Sequence, residues 1–246
     1  MNKISKLSSK ICVVQECNTI HPGVVESYYK KNKIMKRYFS NVLKAQHKVF
    51  NNEPVNINNK VKLLSIKYGD LNLCSMKTLK PFLESNIYII FGASYIKGKL
   101  ARFLIKNKAI NIHMGVSPHF RGTDSNFWAI YKEKYQYVGA TIHLLSNGLD
   151  DGKILYHALS QSTKNPFLYS MLTVKSAIDS LSKLIKNKKI HKYKPVVQDK
   201  SLTINYSTKK DFNSTIVKNF RKFRIPKFSH DKYAFVRPSI LKHKYK

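Results

Sequence analysis

Apolar and polar positions alternate along this chain in blocks that predict strands and helices in turn. Lys10 to Gln15 is a short β-branched run, the pattern of a first strand. In Lys30 to Lys48 the residues Ile34, Met35, Tyr38, Val42 and Ala45 recur at helical spacing, which predicts an amphipathic helix. Val61 to Ile66 predicts a second strand, and Thr78 to Leu83 a short helix capped by Thr78 with Pro81 in its first turn. Ile87 to Phe91 is continuously apolar, as expected of a strand covered on both faces, with Gly92-Ala93-Ser94 making the turn after it. Leu100 to Asn107 predicts a helix, Ala109 to His113 a strand, Thr123 to Lys134 a helix capped by Asp124 or Ser125, and Val138 to Leu145 another strand. Pro166 to Asn187 predicts a long helix with Phe167, Met171, Val174, Ile178, Leu181 and Ile185 on one face.

Strands alternating with helices define an α/β class, a Rossmann-like open, mostly parallel sheet with flanking helices. Beyond Pro195 the pattern weakens, and Lys218 to Lys246 holds ten Lys or Arg against one Asp. The expected organisation is a catalytic domain over 1–194, clearest over 87–155, and a short, loosely packed basic extension over 195–246.

The 246 residues are enough to bury a core without disulfides. Cys12, Cys17 and Cys74 have no metal-like spacing, so no metal site is expected, and their odd number points to a reducing compartment, the cytoplasm. No apolar stretch reaches the length of a membrane span. The net charge of +32 calls for anionic partners or reflects a compositional bias towards Lys, Asn, Ile and Tyr, and charge alone separates neither.

Open sheets place ligands beyond the carboxyl ends of their strands. Three polar loops are expected there: Gly92 to Ile96, Asn111 to Pro118 with Arg121-Gly122, and Ser146 to Gly152. Asn111 and His113, two apart on one strand, face the same side of the sheet and can address one bound group. An amine attacking a formyl carbon builds an oxyanion that an amide N–H and an imidazolium stabilise. Asp150 is the candidate to hold that imidazolium. An N-x-H at a strand end is also an ordinary turn sequence, His143 reads as structural, and Phe127 and Trp128 read as core anchors of their helix.

Taken together, NIHMGVSPHFRGTDSNFWAI, VGATIHLL and NGLDDGKIL resemble the folate-dependent formyltransferase family, which includes methionyl-tRNA, glycinamide ribonucleotide and sugar-nucleotide formyltransferases. N-x-H, a Pro-containing loop ending in Arg-Gly, and G-x-D-x-G follow in that family's order, with 39 positions from Asn111 to Asp150. The resemblance implies Asn111, His113 and Asp150 as the catalytic set, with His113 as proton donor and relay. It implies N10-formyltetrahydrofolate as formyl donor, bound along Ser94, Tyr95, Ile96 and Lys97, along Gly115, Val116, Ser117 and Pro118, and along Ser146, Asn147, Gly148 and Leu149. Where the transfer RNA enzymes have a Ser in the loop after the His, this chain has Gly115. Arg121 is expected to orient an anionic part of the acceptor or to cap the adjoining helix.

Glu16-Cys17-Asn18-Thr19 stands where glycinamide ribonucleotide enzymes have a glycine-rich phosphate loop, which disfavours that acceptor. The tail is about half the length of the hundred-residue barrel domain of the transfer RNA enzymes. The expected activity is formyl transfer to a primary amine of a small anionic acceptor, with an amino-sugar nucleotide as the first choice. The alternatives are methionyl-tRNA formylation, with transfer RNA as partner, and an inactive scaffold that binds nucleic acid.

Overall fold

The computed structural model describes residues 8–17, 32–51, 59–230 and 233–242. Asn18, Thr19 and the first two residues of the expected basic helix, Lys30 and Lys31, lie outside them. The strands are β1 (Ile11–Cys17), β2 (Val61–Lys67), β3 (Ile89–Phe91), β4 (Ile110–His113), β5 (Phe120–Gly122), β6 (Ala140–Leu144), β7 (Ile154–Ser160), β8 (Asn205–Ser207) and β9 (Ser239–Leu241). The helices are α1 (Lys33–Phe50), α2 (Met76–Leu79), α3 (Gly98–Lys106), α4 (Ser125–Tyr131), α5 (Pro166–Lys186) and α6 (Ser214–Val217).

A five-stranded sheet in the order β3-β4-β6-β7-β9 forms the centre, and β1-β2 and β5-β8 are separate parallel pairs. The α/β class and flanking helices are as expected, but one strand direction is not. β6 runs antiparallel to both β4 and β7, because it returns from α4 to lie directly between them. β3 is short and Phe91 at its end is 47% exposed, so this edge strand is not covered on both faces. β7, buried at every position, was not singled out by the sequence pattern.

Period-two alternation divides the two faces of the central strands by polarity. Ile110, Ile112, Ala140, Ile142, Tyr156 and Ala158 form one face and pack against Ala177 and Leu181 of α5. The register puts Asn111, His113, Thr141, His143 and His157 on the other. α5 starts with Pro166 at its first position and with Asn165 Oδ1 accepting from the N–H groups of Phe167 and Leu168. Its deepest positions are Tyr169, Leu172, Thr173, Ser176, Ala177 and Leu181, whereas Met171, Val174, Ile178 and Ile185 are half-buried. Small residues let the helix lie close to the sheet, and Ser176 Oγ donates to the Leu159 carbonyl at 2.5 Å.

Smaller boundary differences have local causes. Ser75, not Thr78, caps α2, its Oγ accepting from Thr78 N–H at 3.0 Å, and the turn containing Pro81 is 3-10. Neither Asp124 nor Ser125 caps α4 through a side chain; Asp124 sits at φ 56°, and Ser125 Oγ instead donates to the Gly122 carbonyl.

The segment after Pro195 is not a loosely packed appendage. It supplies β8 to β5 and β9 to β7, and Val217, Phe220 and Ile225 are buried in the cluster that includes Met35, Phe127 and Phe167. Tyr38 of α1 meets Phe127, Phe167, Phe212 and Phe220 edge-on at centroid distances of 5.3 to 6.0 Å, joining α1, α4, α5 and this segment. The residues it buries in that cluster, Val217, Phe220 and Ile225, stand apart from one another among basic and polar ones, so no period reveals them. No helix among the described residues is long and apolar enough to cross a membrane, and no group of His, Cys, Asp and Glu among them is arranged to hold a metal ion.

Candidate functional site

Strand β4 ends at the polar face with Asn111 and His113, and the loop after β6 brings Asp150 to it. His113 Nδ1 lies 3.3 Å from Asp150 Oδ2, with the two side chains 7% and 12% exposed. His113 Nε2 lies 3.2 Å from the Phe120 carbonyl, so both ring nitrogens face acceptors. Burial pushes the Asp150 carboxyl up, but the hydrogen bond and charge of His113, then His143 and the Gly122 N–H, outweigh it and hold it below its ordinary value.

Asn111 Nδ2 lies 3.0 Å from His143 Nε2, while His143 Nδ1 lies 2.8 Å from the Leu144 carbonyl. A carbonyl can only accept and an amide nitrogen can only donate, so His143 carries its proton on Nδ1 and accepts from Asn111 on Nε2. Burial is the main reason its pKa lies below the ordinary histidine value. His143, structural by its sequence, thus holds one of the expected catalytic side chains. Among the described residues the Asn111 side chain makes no other hydrogen bond, which leaves an amide N–H and the Oδ1 for a bound group.

The three loops expected to bind the donor have different fates. The first and third meet: Tyr95 OH donates to the Asn147 carbonyl at 2.5 Å. Ser94 is fixed from the other side by Glu16, whose carboxylate accepts from its N–H at 2.6 Å and its hydroxyl at 2.8 Å. Asn72 receives the Lys97 N–H at 2.7 Å and donates to the Tyr95 carbonyl at 2.8 Å. Ile96 turns its side chain into the apolar cluster with Leu71 and Leu100. Ser146 Oγ donates to Asp151, and Gly148 approaches the same carboxylate.

Gly115 to Pro118 are all buried. Thr141 Oγ1 donates to the Gly115 carbonyl and accepts from Ser117 N–H, and His157 Nε2 donates to the Ser117 carbonyl. The Gly115 carbonyl and both backbone groups of Ser117 are thus held by the sheet beneath the loop, which braces the site. At Gly115 a Cβ would stand 2.7 Å from His113 Nε2 and 2.5 Å from Ser125 Cβ, which explains the glycine: the imidazole needs that space. Arg121 neither caps α4 nor stands free. Its Nη2 donates to the Leu149 carbonyl at 2.8 Å, tying the loop that carries Asp150 to β5.

Sequence reasoning missed three supports: Thr141, His157 and Gln198. Gln198 Nε2 donates to the carbonyls of Asp150 and Gly152 at 2.8 and 2.7 Å from a segment distant in sequence. For Thr141 and His157 a signal existed, since each shares the alternating polar face of the central strands with Asn111 and His113.

Residues 95–165 match the family model for formyl transferase. Curated proteins give no match. Among solved structures, a sugar N-formyltransferase from Shewanella sp. aligns over 83% of this chain and 79% of its own, with 18% identity and a TM-score of 0.50. An uncharacterised Mycobacterium tuberculosis protein considered a sugar N-formyltransferase aligns over 97% of this chain and 100% of its own, with 15% identity and a TM-score of 0.50. The formyltransferase PseJ from Anoxybacillus kamchatkensis, solved with a UDP-linked formamido sugar and tetrahydrofolate, covers 82% of this chain and 87% of its own, with 20% identity and a TM-score of 0.46. In sequence over residues 95–165 and in fold over most of its length, the chain thus resembles one family of enzymes, the formyl transferases.

Proposed function

We propose that the protein transfers the formyl group of N10-formyltetrahydrofolate to the primary amine of an amino-sugar nucleotide. The observation that carries this reading is the arrangement at the end of β4, where His113 meets Asp150 at 3.3 Å and Asn111 is held by His143 at 3.0 Å, inside the segment that matches the family. The acceptor class rests on the likeness in fold to the Shewanella enzyme, which acts on a sugar.

The donor fits what surrounds the site. Phe91, Tyr95 and Leu149 are 47%, 49% and 41% exposed on or beside the two loops that the Tyr95–Asn147 bond joins, and such apolar surface suits a flat heteroaromatic ring. The donor supplies an activated formyl carbon; the amine forms the new C–N bond, the bond to N10 breaks, and one proton passes from the amine to N10. Asn111, held by His143, offers its remaining amide N–H to the oxygen that gains charge. His113 holds and moves the proton, with Asp150 fixing the ring through Nδ1. Gly115 packs against the ring, and the buried 115–118 loop keeps water from that side.

The test is release of tetrahydrofolate from N10-formyltetrahydrofolate with amino-sugar nucleotides, initiator methionyl-tRNA and glycinamide ribonucleotide offered separately, with His113→Ala as control. Release that depends on an amino-sugar nucleotide and is lost in the control is expected. Release with methionyl-tRNA alone would replace the acceptor, and no folate binding at all would overturn the reading.

A further inference from the structure

A second concave site with cationic walls lies on the same sheet edge as His113. β4 and β7 both run antiparallel to β6, so His113 and Ser160 finish at one edge, and α5 opens there just beyond β7. α1 reaches that edge too: Lys33, Lys36 and Arg37 near its start line one hollow with Lys164, Asn165 and Pro166 at the start of α5, along which α1 packs. Between the N-terminal halves of α1 and α5 and the segment near Arg221 lies a cavity of about 720 Å³. Of the described residues that line it, seven are Lys or Arg, among them Lys36, Arg37, Lys164, Arg221 and Arg224, and none is acidic.

Among the described residues no carboxylate forms an ion pair with any of these seven. Like charges gathered around one hollow repel one another, and the concave wall focuses their field on its centre. Asn165, Pro166 and Phe167, at the start of α5, form part of the same wall, so the positive end of that helix dipole adds to the field even though its first N–H groups are capped by Asn165. An anion of several oxygens relieves that repulsion, and the volume suits a small molecule. A nucleic-acid strand would call for exposed stacking rings, yet Phe167 and Phe220 are packed in the core. Phe167 is shared with a smaller cavity of about 260 Å³ that reaches Met114 and Ser125, the neighbours of His113 and Gly115.

We propose that the basic cavity binds a diphosphate group, the chemistry common to a free nucleoside diphosphate and to the nucleotide end of an amino-sugar nucleotide. The second source rests on the formyl-transfer reading; the first does not.

The experiment is calorimetric titration of the full chain at low salt with pyrophosphate, UDP and a UDP-linked amino sugar. The variant is R37E/K164E, with K62E/K186E as an equal charge change elsewhere and R37Q/K164Q as a milder second variant. Pyrophosphate and UDP are expected to bind the wild type and to weaken by about tenfold or more in R37E/K164E, less in R37Q/K164Q, with the control within about twofold. A rise in the acceptor's KM in the same variant identifies the acceptor as the source; an unchanged KM with UDP binding lost identifies a separate nucleotide. Either supports the site. No diphosphate binding, equal loss in R37E/K164E and K62E/K186E, or a single-stranded RNA that binds more tightly than UDP overturns it. Tetrahydrofolate binding, measured alongside, separates failure of this site from failure of the formyl-transfer reading.

Discussion

Asn111 donates to His143 at 3.0 Å, directly across the β4–β6 ladder, where the two residues are register partners. The acceptor nitrogen exists because burial keeps the His143 ring neutral and the Leu144 carbonyl fixes its tautomer. Replacing His143 with Ala frees the amide to rotate, and kcat is expected to fall by about a hundredfold, as for other small misplacements of a catalytic group, with little change in the donor's KM. His143→Gln, which keeps an acceptor, should recover part of that loss. Steady-state kinetics on the two variants checks this; equal loss in both would leave His143 a packing residue only.

Asp150 is expected to behave as a fixed anion over the working range. Its pKa is lowered in the folded state, so it contributes stability above the ordinary carboxylate value, and that contribution is lost as pH falls through its lowered folded value. Asp150→Asn removes the charge beside His113 Nδ1, and a rate loss of about a hundredfold or more is expected. Its stability should depend less on pH below the ordinary carboxylate value, as urea unfolding of both proteins would show.

His157 makes the fold sensitive to mild acid. The ring accepts from Val236 N–H at 3.0 Å and donates to the Ser117 carbonyl at 2.9 Å, a neutral tautomer, and burial pushes its pKa down to about 4. Between that value and the ordinary 6.5 the unfolded chain binds a proton that the native chain does not. Stability therefore falls as pH drops from 6.5 towards 4, by roughly 3 kcal/mol from this group at about 1.4 kcal/mol per pH unit. Denaturation at pH 7.5 and 5 should show the loss, and His157→Gln should be less stable at pH 7.5 but flatter across the range.

Gly115→Ala places a methyl where the His113 imidazole and Ser125 already lie. Either the ring or α4 must give way, at about 1 to 3 kcal/mol of stability. Turnover is expected to fall more than the melting temperature suggests, because the ring is the softer neighbour. A variant with full activity would mean that the loop relaxes instead.

The tail should prove indispensable. Phe220 is 2% exposed and stacks on Phe127 at 4.5 Å, so Phe220→Ala is expected to cost about 3 to 5 kcal/mol. A chain ending at residue 195 loses β8, β9 and Phe220 together and should fail to give a cooperative melting transition.

The chain's local order was legible wherever a single element carries its own period. α1, α3, β1, β2, β4 and β6 fall close to where the pattern predicts them, and Asn111, His113 and Asp150 stand out because their spacing repeats a family's motif. Contacts between residues distant in sequence were not legible. The antiparallel course of β6 depends on which strands it lies between, and the closure of the 115–118 loop depends on Thr141 and His157 rising from the sheet beneath it. Alternation marks which residues share a face but not what covers it. The basic tail reads as loosely packed because its buried residues come singly, each filling a gap that exists only once α1, α4 and α5 have packed. A local pattern determines elements; burial is a property of the assembled layers, and only the tertiary structure decided it.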